Sequence, residues 1–252
     1  MTNKLVYFIG NWKMFGDFTS IKIINKVNIF SSKIKKNHKK HRIILCVPNI
    51  LIHHFTKFKS NKHVSLGAQN CHHYDSGPFT GSVSATMIKK SGAKYIIIGH
   101  SENRSDGDNN KKIKMKIRLA IKEKLNIIFC IGETLLDKKN KKTFSVLRKQ
   151  IKESLDKKFD IKKIIVAYEP VWSIGTGKTP NKNELTKTFN FIKNELKKFF
   201  NTSSGSILLY GGSVNSKNIG LFSSLSLING FLIGGASQSS NKFIDIIKNY
   251  YK

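Results

Sequence analysis

The chain has 252 residues, of which 39% are apolar, enough to build the core of one large domain or two small ones. Its 45 Lys and Arg against 15 Asp and Glu give a formal net charge of +30, which first suggests nucleic acid or an anionic membrane surface as a partner. Two features argue against specific nucleic-acid recognition: only Arg42, Arg104, Arg118 and Arg148 are arginines, and the lysines are spread almost evenly, mostly on polar helix faces.

In chain order, short apolar runs alternate with amphipathic helical patterns. The predicted strands are Leu5–Gly10, Arg42–Val47, His63–Ala68, Tyr95–Gly99, Ile127–Ile131, Ile164–Ala167, Ile207–Tyr210 and Gly230–Ile233. Each is a continuous apolar run rather than an in/out alternation, as expected of parallel strands covered on both faces. Helical patterns occupy Phe18–Ile34, Lys111–Lys124, Thr143–Lys157, Glu184–Phe200 and Asn241–Tyr250, and Asn181 with Glu184 has the spacing of a capping box. Short helices are expected after strands two, three, seven and eight. This repeating pattern, with no linker, predicts an α/β fold: a (β/α)₈ barrel in one domain spanning residues 1–252. A doubly wound open sheet is the alternative.

Cys46, Cys71 and Cys130 show no CxxC spacing and are odd in number, which predicts free thiols in a reducing, cytoplasmic setting. The apolar run within Met1–Gly10 is too short for a signal peptide or a membrane span, and no other stretch reaches spanning length, so no membrane partner is expected. Lys, Asn, Ile and Phe are all over-used, and all are encoded by A+T-rich codons. The charge therefore reads as compositional bias on tolerant surface positions, with weak, salt-sensitive polyanion binding as a side effect.

A barrel places its chemistry just beyond the C-terminal ends of its strands. Asn11 and Lys13 follow the first strand, where an amide and a cation can meet an anion. His100 follows the fourth, before a helix start at Ser101; a helix N-terminus disfavours imidazolium, which suits a neutral hydrogen-bond donor. Glu169 ends the sixth strand, followed by Pro170 and a loop containing Gly175 and Gly177. A carboxylate beside a loop able to move is how a base is positioned and then covered. Gly211-Gly212-Ser213 follows the seventh strand and Gly234-Gly235 the eighth, allowing backbone N–H groups to approach a phosphate closely. Gly175-Thr176-Gly177-Lys178-Thr179 resembles the end of a P-loop, but its first glycine would fall on Trp172. His53-His54 and Cys71-His72-His73 are poorly spaced as ligands, so no metal site is expected.

The motifs Asn11-Trp12-Lys13-Met14, Gly67-Ala68-Gln69-Asn70-Cys71, Phe79-Thr80-Gly81, Gly99-His100-Ser101-Glu102, Cys130-Ile131-Gly132-Glu133-Thr134, Ala167 to Thr179, Tyr210-Gly211-Gly212-Ser213-Val214 and Gly230 to Ser237 occur in the order of one family. Through them the chain resembles the triosephosphate isomerase family from Gly10 to about Gln238. The resemblance implies interconversion of dihydroxyacetone phosphate and D-glyceraldehyde 3-phosphate, with no cofactor and no metal. It makes Glu169 the base, His100 the neutral acid, Asn11 and Lys13 substrate contacts and Glu102 a support. It assigns the phosphate to Gly175, Ser213, Gly234 and Gly235. The family is itself the well-known case of this base–imidazole pairing and of loop closure. It also implies a homodimer in which Thr80 reaches the partner's site from the long segment Gln69–Ser82.

Some positions depart from the family pattern. Ser82 and Asn103 replace an intersubunit Glu–Arg pair; Lys193 and Asn229 replace an Arg–Asp pair. In each, loss of the acid comes with a change at the base, so no buried charge is expected to be stranded. Ser173 stands in the loop where the family usually has Ala, and Pro180 where Ala is common. An alternative reading is a basic, polyanion-binding barrel that has lost catalysis. Such a chain would be expected to drift at His100, Glu169 or the glycine pairs, and all are present.

Overall fold

The computed structural model describes residues 5–35, 40–57, 63–203 and 205–252; the Met1–Lys4 part of the apolar start lies outside them. Eight strands form one closed parallel barrel in chain order: β1 (Val6–Asn11), β2 (His41–Cys46), β3 (Val64–Ala68), β4 (Tyr95–Ile98), β5 (Asn126–Ile131), β6 (Ile164–Tyr168), β7 (Ile207–Tyr210) and β8 (Gly230–Ile233). Closure runs through β1 and β8, in a register from Tyr7 opposite Gly230 to Gly10 opposite Ile233. An open doubly wound sheet has no such pairing, so that alternative is excluded.

The continuous apolar runs have a direct structural cause. In β5, Ile127, Phe129 and Ile131 pack outward into the helix layer, while Ile128 and Cys130 point into the barrel. Both faces are buried, so both must be apolar. The interior is filled by Tyr7, Ile9, Ile44, Cys46, Tyr95, Ile97, Ile128, Cys130, Ile165, Ala167, Leu209 and Leu232. It is a packed core rather than a pore. The three cysteines are free and buried, Cys46 and Cys130 in this interior and Cys71 in the outer layer.

The helices wrap the outside: α1 (Ile21–Lys35), α2 (Asn49–Thr56), α3 (Ala85–Lys90), α4 (Ser101–Ser105), α5 (Asn110–Lys122), α6 (Leu135–Lys139), α7 (Thr143–Ser154), α8 (Lys182–Phe200), α9 (Ile219–Ser223) and α10 (Ser240–Tyr250). The capping box at the start of α8 is formed: Asn181 Oδ1 accepts from the Glu184 N–H at 2.9 Å, and Glu184 Oε2 accepts from the Asn181 N–H at 2.9 Å. Most boundaries shift by one or two residues from the sequence reading, and two shift further. The pattern from Phe18 opens with a 3₁₀ turn, Phe18–Ser20, capped by Asp17. Helix α7 stops at Ser154, because Leu155 turns to extended geometry and is fully buried. No helix among the described residues is long and apolar enough to cross a membrane.

Most lysines are solvated, but Lys116 on α5 is not. It is 4% exposed. Its Nζ bonds both carboxylate oxygens of Asp108, at 2.7 and 2.5 Å, and Asn70 Oδ1 at 3.0 Å. Asn70 Oδ1 also accepts from the Cys71 N–H at 2.9 Å. A buried ion pair thus ties α5 to the root of the Gln69–Ser82 segment. At one replaced family pair, Asn229 Oδ1 accepts from the Leu208 N–H at 2.9 Å, so the amide serves the β7 backbone.

Ile128→Ala would open a cavity on the barrel axis and is expected to cost roughly 2–5 kcal/mol in urea unfolding. Leu221→Ala, at a side chain 66% exposed, should stay within about 0.5 kcal/mol.

Candidate active site

Because the strands are parallel and closed, all eight C-terminal ends open on one mouth. A cavity of about 230 Å³ lies there, lined by Asn11, Lys13, His100, Glu169, Gly175, Ser213, Gly234 and Gly235, with Ile174 and Gly212 among their neighbours. It is smaller than the ~300–1,000 Å³ of drug-sized pockets, so its occupant is small. Of the predicted site residues, Glu102 and Thr80 do not line it. Glu102 touches its lining residue Lys13, whereas Thr80 is exposed on the Gln69–Ser82 segment.

Lys13 has a left-handed backbone, with φ of 56°, which is uncommon for a residue with a side chain. Its surroundings clamp it. The Lys13 N–H donates to Asn11 Oδ1 at 3.1 Å, and Gln69 Nε2 donates to the Lys13 carbonyl at 2.9 Å. Gln69 also donates to the Cys46 carbonyl at 3.1 Å. Gln238 Nε2 donates to the Trp12 carbonyl at 3.0 Å. The ammonium meets Glu102 Oε1 at 2.5 Å.

His100 precedes α4, and its Nδ1 accepts from the Glu102 N–H at 3.2 Å. A ring nitrogen that accepts carries no proton, so the proton sits on Nε2. That atom faces Glu169 Oε1 at 3.5 Å. The helix start therefore fixes both the tautomer and the aim of the donor.

Glu169 is 2% exposed. Burial pushes its carboxyl above the usual carboxylate range; His100, the Cys130 thiol, the Ser101 N–H and Lys13 pull the other way. Two glycines make room for it. An added Cβ at Gly132 would collide with the Glu169 carbonyl, and one at Gly211 would stand 2.7 Å from Glu169 Cγ.

The loop after Glu169 is anchored by side-chain bonds between separate motifs, which the sequence does not announce. Trp172 Nε1 donates to Glu133 Oε1 at 2.8 Å, and the Tyr168 hydroxyl donates to the same oxygen at 3.2 Å. Glu133 is 1% exposed, and burial pushes its carboxyl up despite these donors. Lys138 Nζ lies 3.7 Å from the Trp172 ring centroid and 3.1 Å from Glu184 Oε1. Ser173 Oγ bonds the Lys178 carbonyl, the Tyr210 hydroxyl and the Ser213 N–H. Beyond it, Gly175 and Gly177 have φ of 71° and 74°, a turn that residues with side chains rarely adopt.

Comparison with known proteins agrees with this geometry. The family model described as "Triosephosphate isomerase" matches residues 6–250. The chain belongs to the triosephosphate isomerase family. Curated members similar to it include triosephosphate isomerases of Bartonella bacilliformis, 37% identical over 246 residues and 96% of each chain, and of Wolbachia pipientis wMel, 38% identical over 249 residues, 97% of this chain and 93% of that one. The crystal structure of the Bartonella henselae triosephosphate isomerase superposes with a TM-score of 0.88 at 33% identity, over 98% of this chain and 99% of that one. The polyanion-binding alternative gains no support from the family or from the site.

A carboxyl held above its usual range in the folded state adds stability at low pH that is lost as pH rises through the raised value. Glu169→Gln removes that loss. Its melting midpoint should exceed that of the unmodified chain at pH 7–8, with the gap closing near pH 4, below both carboxyl values. Thermal scans at the two pH values test this.

Proposed function

We propose that this cavity interconverts dihydroxyacetone phosphate and D-glyceraldehyde 3-phosphate by moving one proton between adjacent carbons. The observation that carries the reading is the His100–Glu169 pair. A fixed Nε2–H donor faces a buried carboxylate across a small cavity, with a lysine beside them.

A C–H next to a carbonyl is a weak acid. Removing its proton needs a placed base and a donor already aimed at the oxygen that gains charge. In this reading Glu169 takes the proton, and the electron pair moves into an enediolate-like intermediate. His100 Nε2–H donates to the developing oxyanion, Lys13 adds positive charge, and Asn11 holds the substrate. Glu169, now protonated, returns the proton to the neighbouring carbon, so no atom is gained or lost. Glu102 holds Lys13. Backbone N–H groups of Gly175, Ser213, Gly234 and Gly235 hold the phosphate, and the loop around Gly175 closes over it to exclude water. The resemblance that supplies these roles calls for no cofactor or metal.

We further infer one domain spanning 1–252, a cytoplasmic setting consistent with three buried free thiols, and a homodimer. The dimer reading is supported by the exposed apolar surface. Met14 is 94% exposed and Phe15 59%, and Phe79 packs against the rings of His72 and Tyr74 on the Gln69–Ser82 segment. Thr80, beside Phe79, is the residue proposed to approach the partner's Asn11.

A coupled assay with glyceraldehyde 3-phosphate should show isomerisation, with Glu169→Asp and His100→Gln each losing roughly 10²–10⁴-fold in kcat. An inactive unmodified chain, or an unchanged Glu169→Asp rate, rejects the mechanism. Light scattering after size exclusion should give twice the 28.6 kDa chain mass; a monomer at micromolar concentration rejects the dimer.

A further inference from the structure

We propose that the Ser173 hydroxyl is a positioning latch that ties the loop to the phosphate cradle and is released when phosphate takes the Ser213 N–H. The inference rests on the functional reading above and extends it to one further residue.

Ser173 is fully buried, at the end of the turn Val171–Ser173. Its hydroxyl has one proton to donate and two lone pairs to accept with. Oγ–H donates to the Lys178 carbonyl at 2.6 Å. Its other two contacts must therefore be acceptances: from the Tyr210 hydroxyl at 3.1 Å and from the Ser213 N–H at 3.3 Å. All three capacities are used. An apolar side chain here could make none of these bonds.

The three partners lie on three different parts of the site. Lys178 is on the far arm of the loop, beyond Gly175 and Gly177. Tyr210 ends β7 and packs outward against Phe222, behind the cavity lining. Ser213 belongs to the cavity lining. Gly212 opens the space, since a Cβ there would stand 2.7 Å from Ser173 Oγ. The Ser173–Lys178 bond thus pins the two arms of the loop together, and the Ser213 bond fastens that clasp to the cradle.

The Ser213 N–H is one donor with two claimants. A phosphate oxygen is charged and forms a stronger bond to an N–H than a neutral hydroxyl does. When phosphate takes this donor, Ser173 keeps its bonds to Lys178 and Tyr210 but loses its hold on the cradle. Phosphate arrival thus frees the loop from the cradle, so that it can close over the bound group, in one exchange of hydrogen bonds at Ser213. Removing the hydroxyl has two opposite effects. It frees the Ser213 N–H and strengthens phosphate binding. It also unpins the loop arms and weakens the shielding of the reaction from water.

The test is calorimetric titration with inorganic phosphate, alongside steady-state kinetics, on the unmodified chain, Ser173→Ala, Tyr210→Phe and the double variant. Ser173→Ala should lower the phosphate Kd and the KM roughly three- to ten-fold, on the order of one net hydrogen bond, while kcat falls. A merely structural role would not move KM and kcat in this pattern. Tyr210→Phe should lower Kd less, and should add nothing once Ser173 is alanine. An unchanged Kd in Ser173→Ala, additive effects in the double variant, or no phosphate binding to the unmodified chain overturns the latch. An unmodified chain that binds phosphate without isomerising rejects the functional reading alone, and the calorimetry still decides the latch.

Discussion

The structure depends on one pairing, the hydrogen-bonded edge between β1 and β8. Without it the sheet would have two open edges, and Lys13 and Gly234 would lie at opposite ends of it. With it, strands separated by more than two hundred residues become neighbours, and every loop after a strand meets at the same mouth. Parallel pairing adds the second half of the constraint, because antiparallel neighbours would send alternate loops to opposite ends. The cost is that every strand is buried on both faces, which the chain meets with isoleucine-rich runs such as Tyr95–Ile98.

Within that mouth the chemistry rests on unequal treatment of two groups. Glu169 is denied water, which raises its affinity for a proton. His100 is handed a backbone N–H on Nδ1, which leaves its own proton on the nitrogen that faces the cavity. A basic carboxylate beside a neutral N–H donor can remove a proton and at once steady the charge left behind. Neither property belongs to the side chain alone. One comes from the barrel wall and the other from the first turn of α4.

The strands and the residues at their ends were legible in the sequence because their causes are local. Burial on both faces writes a continuous apolar run, and a close approach to phosphate writes a glycine pair. The clamp on Lys13 was not legible. Gln69 and Gln238 are far from Lys13 and Trp12 in the chain, and nothing in an amide side chain says which carbonyl it will find. Glu133 lay within a recognisable motif, yet its bonds to Tyr168 and Trp172 depend on β5 and β6 being adjacent. Lys116 was hidden among its own kind: one buried lysine among many solvated ones carries no compositional signal until Asp108 is seen beside it. Leu155, which ends α7 early, kept the helical spacing but was more useful buried than in register.

The three cysteines have a consequence outside catalysis. Burial pushes each thiol up, Cys71 to about 12, so little thiolate forms at neutral pH. Alkylating reagents are therefore expected to modify the native chain slowly, although its three cysteines are free. Cys46 and Cys130 sit inside the barrel, while Cys71 belongs to the outer layer. Which thiol is modified first then distinguishes two kinds of breathing, a parting of the staves or a loosening of the helical jacket around them. Evolution has left the molecule a pair of chemical gauges, placed at different depths.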